Sequence, residues 1–240
     1  MKKRDFLLNL ISPPRCMACN RKMSVYETAK FCYKCGENYH KISGKVCRIC
    51  GKPIGSTSDD TCRFCKVQKL YINQNVSRYL YKGSIKDAVQ NMKFKRRQWI
   101  AFEFGRAMVE TVQEHYGDIH FDLVVYVPMT KLSELNRGFN QALEIAEIIA
   151  ENLKIPIEYN ILRKKINAKT QSGLGRKERF ENVKNAFFIR HSEKLTDKVV
   201  LLIDDVYTTG ATINECARIL KKSGALAVYS ATVASTVLDE

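Results

Sequence analysis

No apolar run in the 240-residue chain approaches the ~20 residues that span a bilayer, which excludes a membrane-spanning helix. Low-complexity tracts are missing too. With 45% hydrophobic and 27% charged residues, the chain does not have the composition of a disordered protein. Acidic residues are scarce: 25 Asp+Glu stand against 40 Lys+Arg, a formal net charge of +15. Such a surplus favours polyanions in general but names no site. No secretory leader is expected either. Met1-Lys2-Lys3-Arg4 has the basic start of one, but the apolar stretch 6–11 is short, is broken by Asn9 and runs into Pro13-Pro14. The expectation is a cytoplasmic protein, where lasting disulfides are rare. At ~150 residues per domain, the length suits one full domain and a smaller one.

Cysteine is plentiful, and eight of the nine form four C-x-x-C pairs: Cys16/Cys19, Cys32/Cys35, Cys47/Cys50 and Cys62/Cys65, separated by 12, 11 and 11 residues. A C-x-x-C turn presents two thiolates to one ion, and a second turn after a short hairpin completes a tetrahedral four-thiolate site. Eight thiolates make two structural zinc sites, and residues 1–70 read as a double zinc ribbon with little apolar core of its own. The simplest ligation is sequential; an interleaved one fits the spacing as well. Gly36 and Gly51 follow the second cysteine of their knuckles, where positive φ is often needed. Cys216 stands alone in an expected helix and reads as a core residue.

Residues 1–75 hold 15 Lys+Arg and 5 Asp+Glu. Eight thiolates with two zinc ions remove about four charges, so the ribbon end stays basic. Phe31, Tyr33, Tyr39, Phe64 and Tyr71 are interleaved with its cations. That mixture suits a nucleic-acid surface; a solvated basic face over a small aromatic core is the other reading.

After a polar linker at 66–75, residues 71–240 alternate strand and helix. Strands are expected near 76–81, 121–127, 157–162, 199–203 and 227–234, and helices near 84–94, 98–115, 139–153 and 212–222. Residues 163–184 are polar, basic and Gly-containing, which predicts a long loop. The fold class is therefore α/β with a mostly parallel sheet, preceded by the small cysteine-rich domain.

Most of the functional information lies in 199–212. A buried apolar run delivers Asp204 and Asp205, a loop through Thr208, Thr209, Gly210 and Ala211 follows, and a helix opens at Thr212. In open α/β sheets, ligands bind outside the C-terminal ends of strands. Amides at the helix start and the threonine hydroxyls form an anion cradle, and Gly210 allows close backbone approach. The two carboxylates suit sugar hydroxyls, directly or through Mg²⁺ and water. Phosphate plus diol describes a phosphorylated ribose.

This stretch resembles the signature segment of type I phosphoribosyltransferases, which bind 5-phosphoribosyl-1-diphosphate (PRPP). Val127-Pro128-Met129-Thr130-Lys131 followed by Arg137-Gly138-Phe139-Asn140-Gln141-Ala142 is similar to the diphosphate-loop region of the ComF competence-protein family. Arg163, Thr170-Gln171-Ser172-Gly173-Leu174 and 176–183 resemble that family's flexible loop, and a doubled N-terminal zinc ribbon is also found there. The resemblance implies that 208–212 hold the 5-phosphate, Asp204 and Asp205 the ribose, and Pro128, Met129, Thr130 and Lys131 the diphosphate, with Mg²⁺. Residues 131–136 lengthen the approach to Arg137, which either reaches the diphosphate or braces the loop. No nucleobase pocket is recognisable.

Two functions follow from the resemblance. One is a PRPP-binding factor of natural transformation that handles incoming single-stranded DNA beside an import helicase. Its candidate nucleic-acid contacts are Lys93, Lys95, Arg96 and Arg97, with Arg163, Arg176, Lys177 and Arg179 in the basic loop. The other is an active phosphoribosyltransferase with an unidentified small-molecule acceptor, for which the basic loop is a lid.

Overall fold

The computed structural model describes residues 13–24, 26–27, 29–56, 58–165 and 176–238. Its centre is a four-stranded, wholly parallel sheet of β1 (Gln74–Leu80), β2 (Leu123–Tyr126), β5 (Val199–Tyr207) and β6 (Ala227–Ser235), in the order β1-β6-β5-β2. A short antiparallel pair, β3 (Leu162–Lys164) and β4 (Phe187–Ile189), stands apart from it. The expected parallel α/β architecture and the preceding double ribbon are both present.

Because successive strand residues face opposite sides, β5 feeds two cores. Leu201 and Ile203 join Val124, Ala231 and Val233 on one face; Val200 and Leu202 join Val125 and Val228 on the other. The first face is covered by α3 (Gly83–Phe94), α4 (Trp99–Tyr116) and α6 (Gln141–Leu153). The apolar stripe Ile100, Phe104, Met108, Val112 of α4 is buried, as its i, i+4 spacing predicts. Gly105 lets α4 meet α6 closely, since a Cβ there would strike Ile148. The second face is covered by α8 (Ala211–Lys222) and the β3–β4 pair. Cys216 lies in this core, fully buried, and burial raises its thiol well above the ordinary range.

The ribbons clasp the sheet from both sides. Each has a one-turn knuckle helix, α1 (Tyr33–Gly36) and α2 (Arg63–Val67). Met17 of the first ribbon enters the α3–α4 core, and Phe31 and Tyr39 pack against it. All four cysteines of the second ribbon share the core beneath α8. Between the ribbons the chain runs along the edge of β1, where Ile42 N–H donates to Arg78 at 2.8 Å and Leu80 N–H to His40 at 3.0 Å. That pairing covers an edge that would otherwise be open.

Three expectations need correction. The central strand runs to Tyr207 rather than stopping at Ile203, because Asp204, Val206 and Tyr207 remain paired with Thr232, Ala234 and Ser235. The strand expected at 157–162 is a single bridge at Ile157 followed by β3. The supposed loop 163–184 contains the end of β3 and α7 (Arg176–Val183); residues 166–175 lie outside the described residues, as do 1–12.

Candidate phosphoribosyl site and zinc centres

β5 carries Asp204 and Asp205 out on opposite faces of the sheet. Asp205 is buried, and its carboxylate oxygens each lie 2.8 Å from Lys93 Nζ at the end of α3. Gln141 Nε2, at the start of α6, donates to Asp205 Oδ2 at 2.7 Å, while its Oε1 accepts from Arg137 Nη1 at 2.7 Å. Arg137 is half-buried between Met129 Sδ, 3.7 Å away, and the Phe94 ring, 5.6 Å from its guanidinium. A continuous chain Lys93–Asp205–Gln141–Arg137 therefore joins the ends of α3 and β5 to the start of α6. In it Arg137 links Met129 of the loop to Gln141 of α6. Lys93, grouped above with the nucleic-acid candidates, turns inward to neutralise a buried carboxylate that would be costly alone.

Asp204 accepts the Asp205 amide at 2.8 Å. Burial, and then the neighbouring Asp205 charge, push its carboxyl up to about 7. Lys164 of β3 approaches from the other side; burial holds its ammonium below the usual lysine range, against the attraction of Asp204. Lys164 and Gln141 escaped sequence reasoning. Gln141 had been quoted only as part of a motif, and the topology that brings Lys164 to β5 leaves no local signal.

Beyond Tyr207 the chain turns through Thr208 and Thr209 to Gly210, whose φ of 80° places it in the left-handed region just before α8. A Cβ at Gly210 would strike the Tyr207 hydroxyl, so this turn needs glycine twice over. Thr209 Oγ1 accepts the Ala211 amide at 3.4 Å. The N-terminus of α8 thus opens at the C-terminal edge of the central strand, beside the two aspartates, an arrangement suited to a phosphate.

The stretch Pro128, Met129, Thr130 leads into α5 (Lys131–Arg137), a helix where the sequence suggested only extra loop. Thr130 caps it, accepting the Ser133 amide at 3.2 Å, and Gly138 ends it at φ 90°. Lys131 is its exposed first residue. Asn140 caps α6 through the Ala142 amide at 3.0 Å and holds Val127 O at 3.3 Å, which ties the loop to β2.

Of the remaining cationic candidates, Lys95 and Arg96 are exposed and Arg97 half-buried at the turn between α3 and α4. Arg163 is half-buried on β3. Arg176, Lys177 and Arg179 fall on α7, with side chains outside the described residues.

The eight cysteines gather as Cys16, Cys19, Cys32, Cys35 and as Cys47, Cys50, Cys62, Cys65, with ligand atoms within 4.8 Å of one another in each group. This is the sequential partition. A zinc–sulfur bond of ~2.3 Å implies a tetrahedral edge of about 3.8 Å. Cys19 and Cys32 sulfurs are 3.7 Å apart and Cys50 and Cys62 sulfurs 3.8 Å, so both groups fit zinc. In the second group, hydrogen bonds from Cys50 and Cys65 hold the Cys47 thiol far below its usual range, which prepares a thiolate.

A Double zinc ribbon domain family model matches residues 7–66 and a Phosphoribosyl transferase domain model residues 140–237. Competence protein ComFC of Bacillus subtilis is 33% identical over 205 residues, covering 84% of this chain and 82% of that protein. Competence protein F of Haemophilus influenzae is 33% identical over 140 residues, 57% of this chain and 61% of that protein. DNA utilization protein YhgH of Escherichia coli is 29% identical over 151 residues, 62% of this chain and 66% of that protein. The match thus spans less than two thirds of the length of competence protein F and of YhgH.

Proposed function

Since the chain belongs to the ComFC family of competence proteins, we propose that it binds PRPP with Mg²⁺ at the end of the central strand and serves DNA uptake by handling incoming single-stranded DNA in the cytoplasm, beside an import helicase. The observation that carries the PRPP reading is the sequence of two carboxylates, left-handed Gly210 and helix start at one strand end. Asp204 and Asp205 take the ribose hydroxyls or the waters of the magnesium ion. Amides of 209–212 take the 5-phosphate, and the loop 128–131 takes the diphosphate with the charge of Lys131. Bound Mg²⁺ supplies charge neutralisation at the diphosphate. The DNA reading draws on the net charge of +15 and on the competence and DNA utilization relatives.

Calorimetric titration of zinc-loaded protein with PRPP and Mg²⁺ tests the pocket. Saturable binding that is lost in Asp204→Asn/Asp205→Asn supports it; no binding by folded wild-type protein refutes it. The DNA reading requires affinity for single strands that falls steeply as salt rises.

Lys164 favours a second reading, an active phosphoribosyltransferase. A cation of depressed pKa facing Asp204 is suited to the charge that leaves C1 or to a small acceptor. Acceptor-dependent diphosphate release would support it. Release that persists in the double aspartate variant would assign it to another site.

A further inference from the structure

The turn joining α3 to α4 exposes aromatic rings that helix packing leaves unused. Phe94 is 70% exposed, Phe102 52% and Trp99 38%; Trp99 and Phe102 are neighbours at i, i+3 on α4. Lys95, Arg96 and Arg97 lie between Phe94 and Trp99, and no carboxylate among the described residues pairs with any of the three. α5 is tied to the same corner: Arg96 Nη2 donates to Asn136 O at 2.7 Å, and Arg137 stacks on Phe94.

We propose that this corner seats a single nucleic-acid strand, a placement that rests on the DNA reading above. Its chemistry favours that occupant over the alternatives. Rings that stand free can stack on unpaired bases of any sequence, while the neighbouring cations follow the phosphates. A duplex keeps its base faces covered and gains only the charge term. A second copy of this chain, meeting it through a twofold axis, would set Lys95, Arg96 and Arg97 against themselves. The corner also adjoins the phosphoribosyl site, because Lys93, one residue before Phe94, is the cation that holds Asp205. A strand seated here would lie at the edge of the PRPP pocket and beside the first zinc ribbon, which reaches α4 through Lys30 and Glu103.

Trp99 is the chain's sole tryptophan, so the corner carries its own reporter. Zinc-loaded full-length protein is titrated with a labelled oligothymidylate of about 16 nucleotides, following label anisotropy and Trp99 emission together. The proposal expects both signals to saturate at the same concentration. It expects Phe102→Ala, which stands outside the Arg137 contact, to weaken binding about tenfold, and Lys95→Glu/Arg97→Glu to weaken it further and flatten the salt dependence. PRPP affinity should be unchanged in Phe102→Ala, which separates this surface from the pocket. Anisotropy that rises with unchanged Trp99 emission and full affinity in Phe102→Ala moves the strand elsewhere; the proposal then fails while the DNA reading survives. No anisotropy change at low salt sinks both. A concentration-dependent dimer in sedimentation that Phe102→Ala dissolves gives the corner to a second copy and overturns the proposal.

Discussion

The two zinc ribbons share a ligand set and a spacing, yet they sit on opposite faces of the sheet and in different surroundings. In the first, Cys19 is exposed and Cys35 half-buried; the ribbon leans on α3 and α4 through Met17, the bond from Ser84 Oγ to Cys35 O at 2.8 Å, and a Lys30–Glu103 pair at 2.8 Å. In the second, all four cysteines are buried in the core that holds Tyr207 and Ala211, the residues on either side of the loop 208–210. Its Lys52, almost wholly buried, donates to Thr236 Oγ1 at 2.8 Å, and that hydroxyl donates to Thr208 O at 3.2 Å. The Thr236 amide also holds Tyr207 O at 3.1 Å. One ribbon is thus an external brace, and the other forms the floor beneath the loop 208–210. Identical motifs acquire different roles from what they are packed against.

The largest expected effect breaks this asymmetry directly. Cys65→Ser should empty the second site and lower PRPP affinity by about a hundredfold or more, since zinc binding is folding energy for the ribbon under the loop. Cys19→Ser should lose the other zinc while PRPP affinity stays within about threefold. Zinc content by mass spectrometry and calorimetry on both variants check this; equal losses would erase the distinction.

A smaller effect is expected at Lys52. Lys52→Met removes the hydrogen bond to half-buried Thr236, a loss of about 0.5–1.5 kcal/mol. PRPP binding should weaken about tenfold with both zinc ions retained, so a variant that lost zinc would point to ribbon collapse instead.

Asp204 sharpens the picture through pH. The folded carboxyl titrates at about 7 against 3.8 for the free group, so across that window the folded state holds more protons than the unfolded one. Stability of the ligand-free protein should therefore fall as pH rises from about 4 to 7. Asp204→Asn removes this slope, so at pH 8 it should melt higher than wild type. A lower melting temperature for the variant would contradict the burial argument.

The smallest effect belongs to Tyr207, whose buried hydroxyl has no hydrogen-bond partner among the described residues. Tyr207→Phe should change stability by less than about 1 kcal/mol and leave Gly210 room to keep its turn. A large loss on denaturant unfolding would mean that a thiolate of the second zinc site takes that proton.

Local chemistry was legible in the sequence; long-range placement was not. The four C-x-x-C pairs announced the zinc sites because both ligands of each knuckle are near neighbours in the chain. Asp204, Asp205 and 208–212 could be grouped as a candidate anion site because strand end, loop and helix start are contiguous. The docking of the ribbons on two faces left no trace, since Met17 and Cys50 meet partners some 70 to 160 residues away. Lys93 was misread for the same reason: in sequence it belongs to a basic run, but in the fold it meets Asp205, 112 residues on. α5 was missed because its Thr130 cap and Gly138 stop enclose only seven residues with no buried stripe.

The most direct test is amide exchange across residues 204–212, with and without PRPP and Mg²⁺, in wild-type protein and in Cys65→Ser. The account predicts slow exchange that PRPP slows further in the wild type, and fast exchange indifferent to PRPP in the variant. Equal protection by PRPP in both proteins would show that the loop 208–210 stands without the second ribbon and would contradict it.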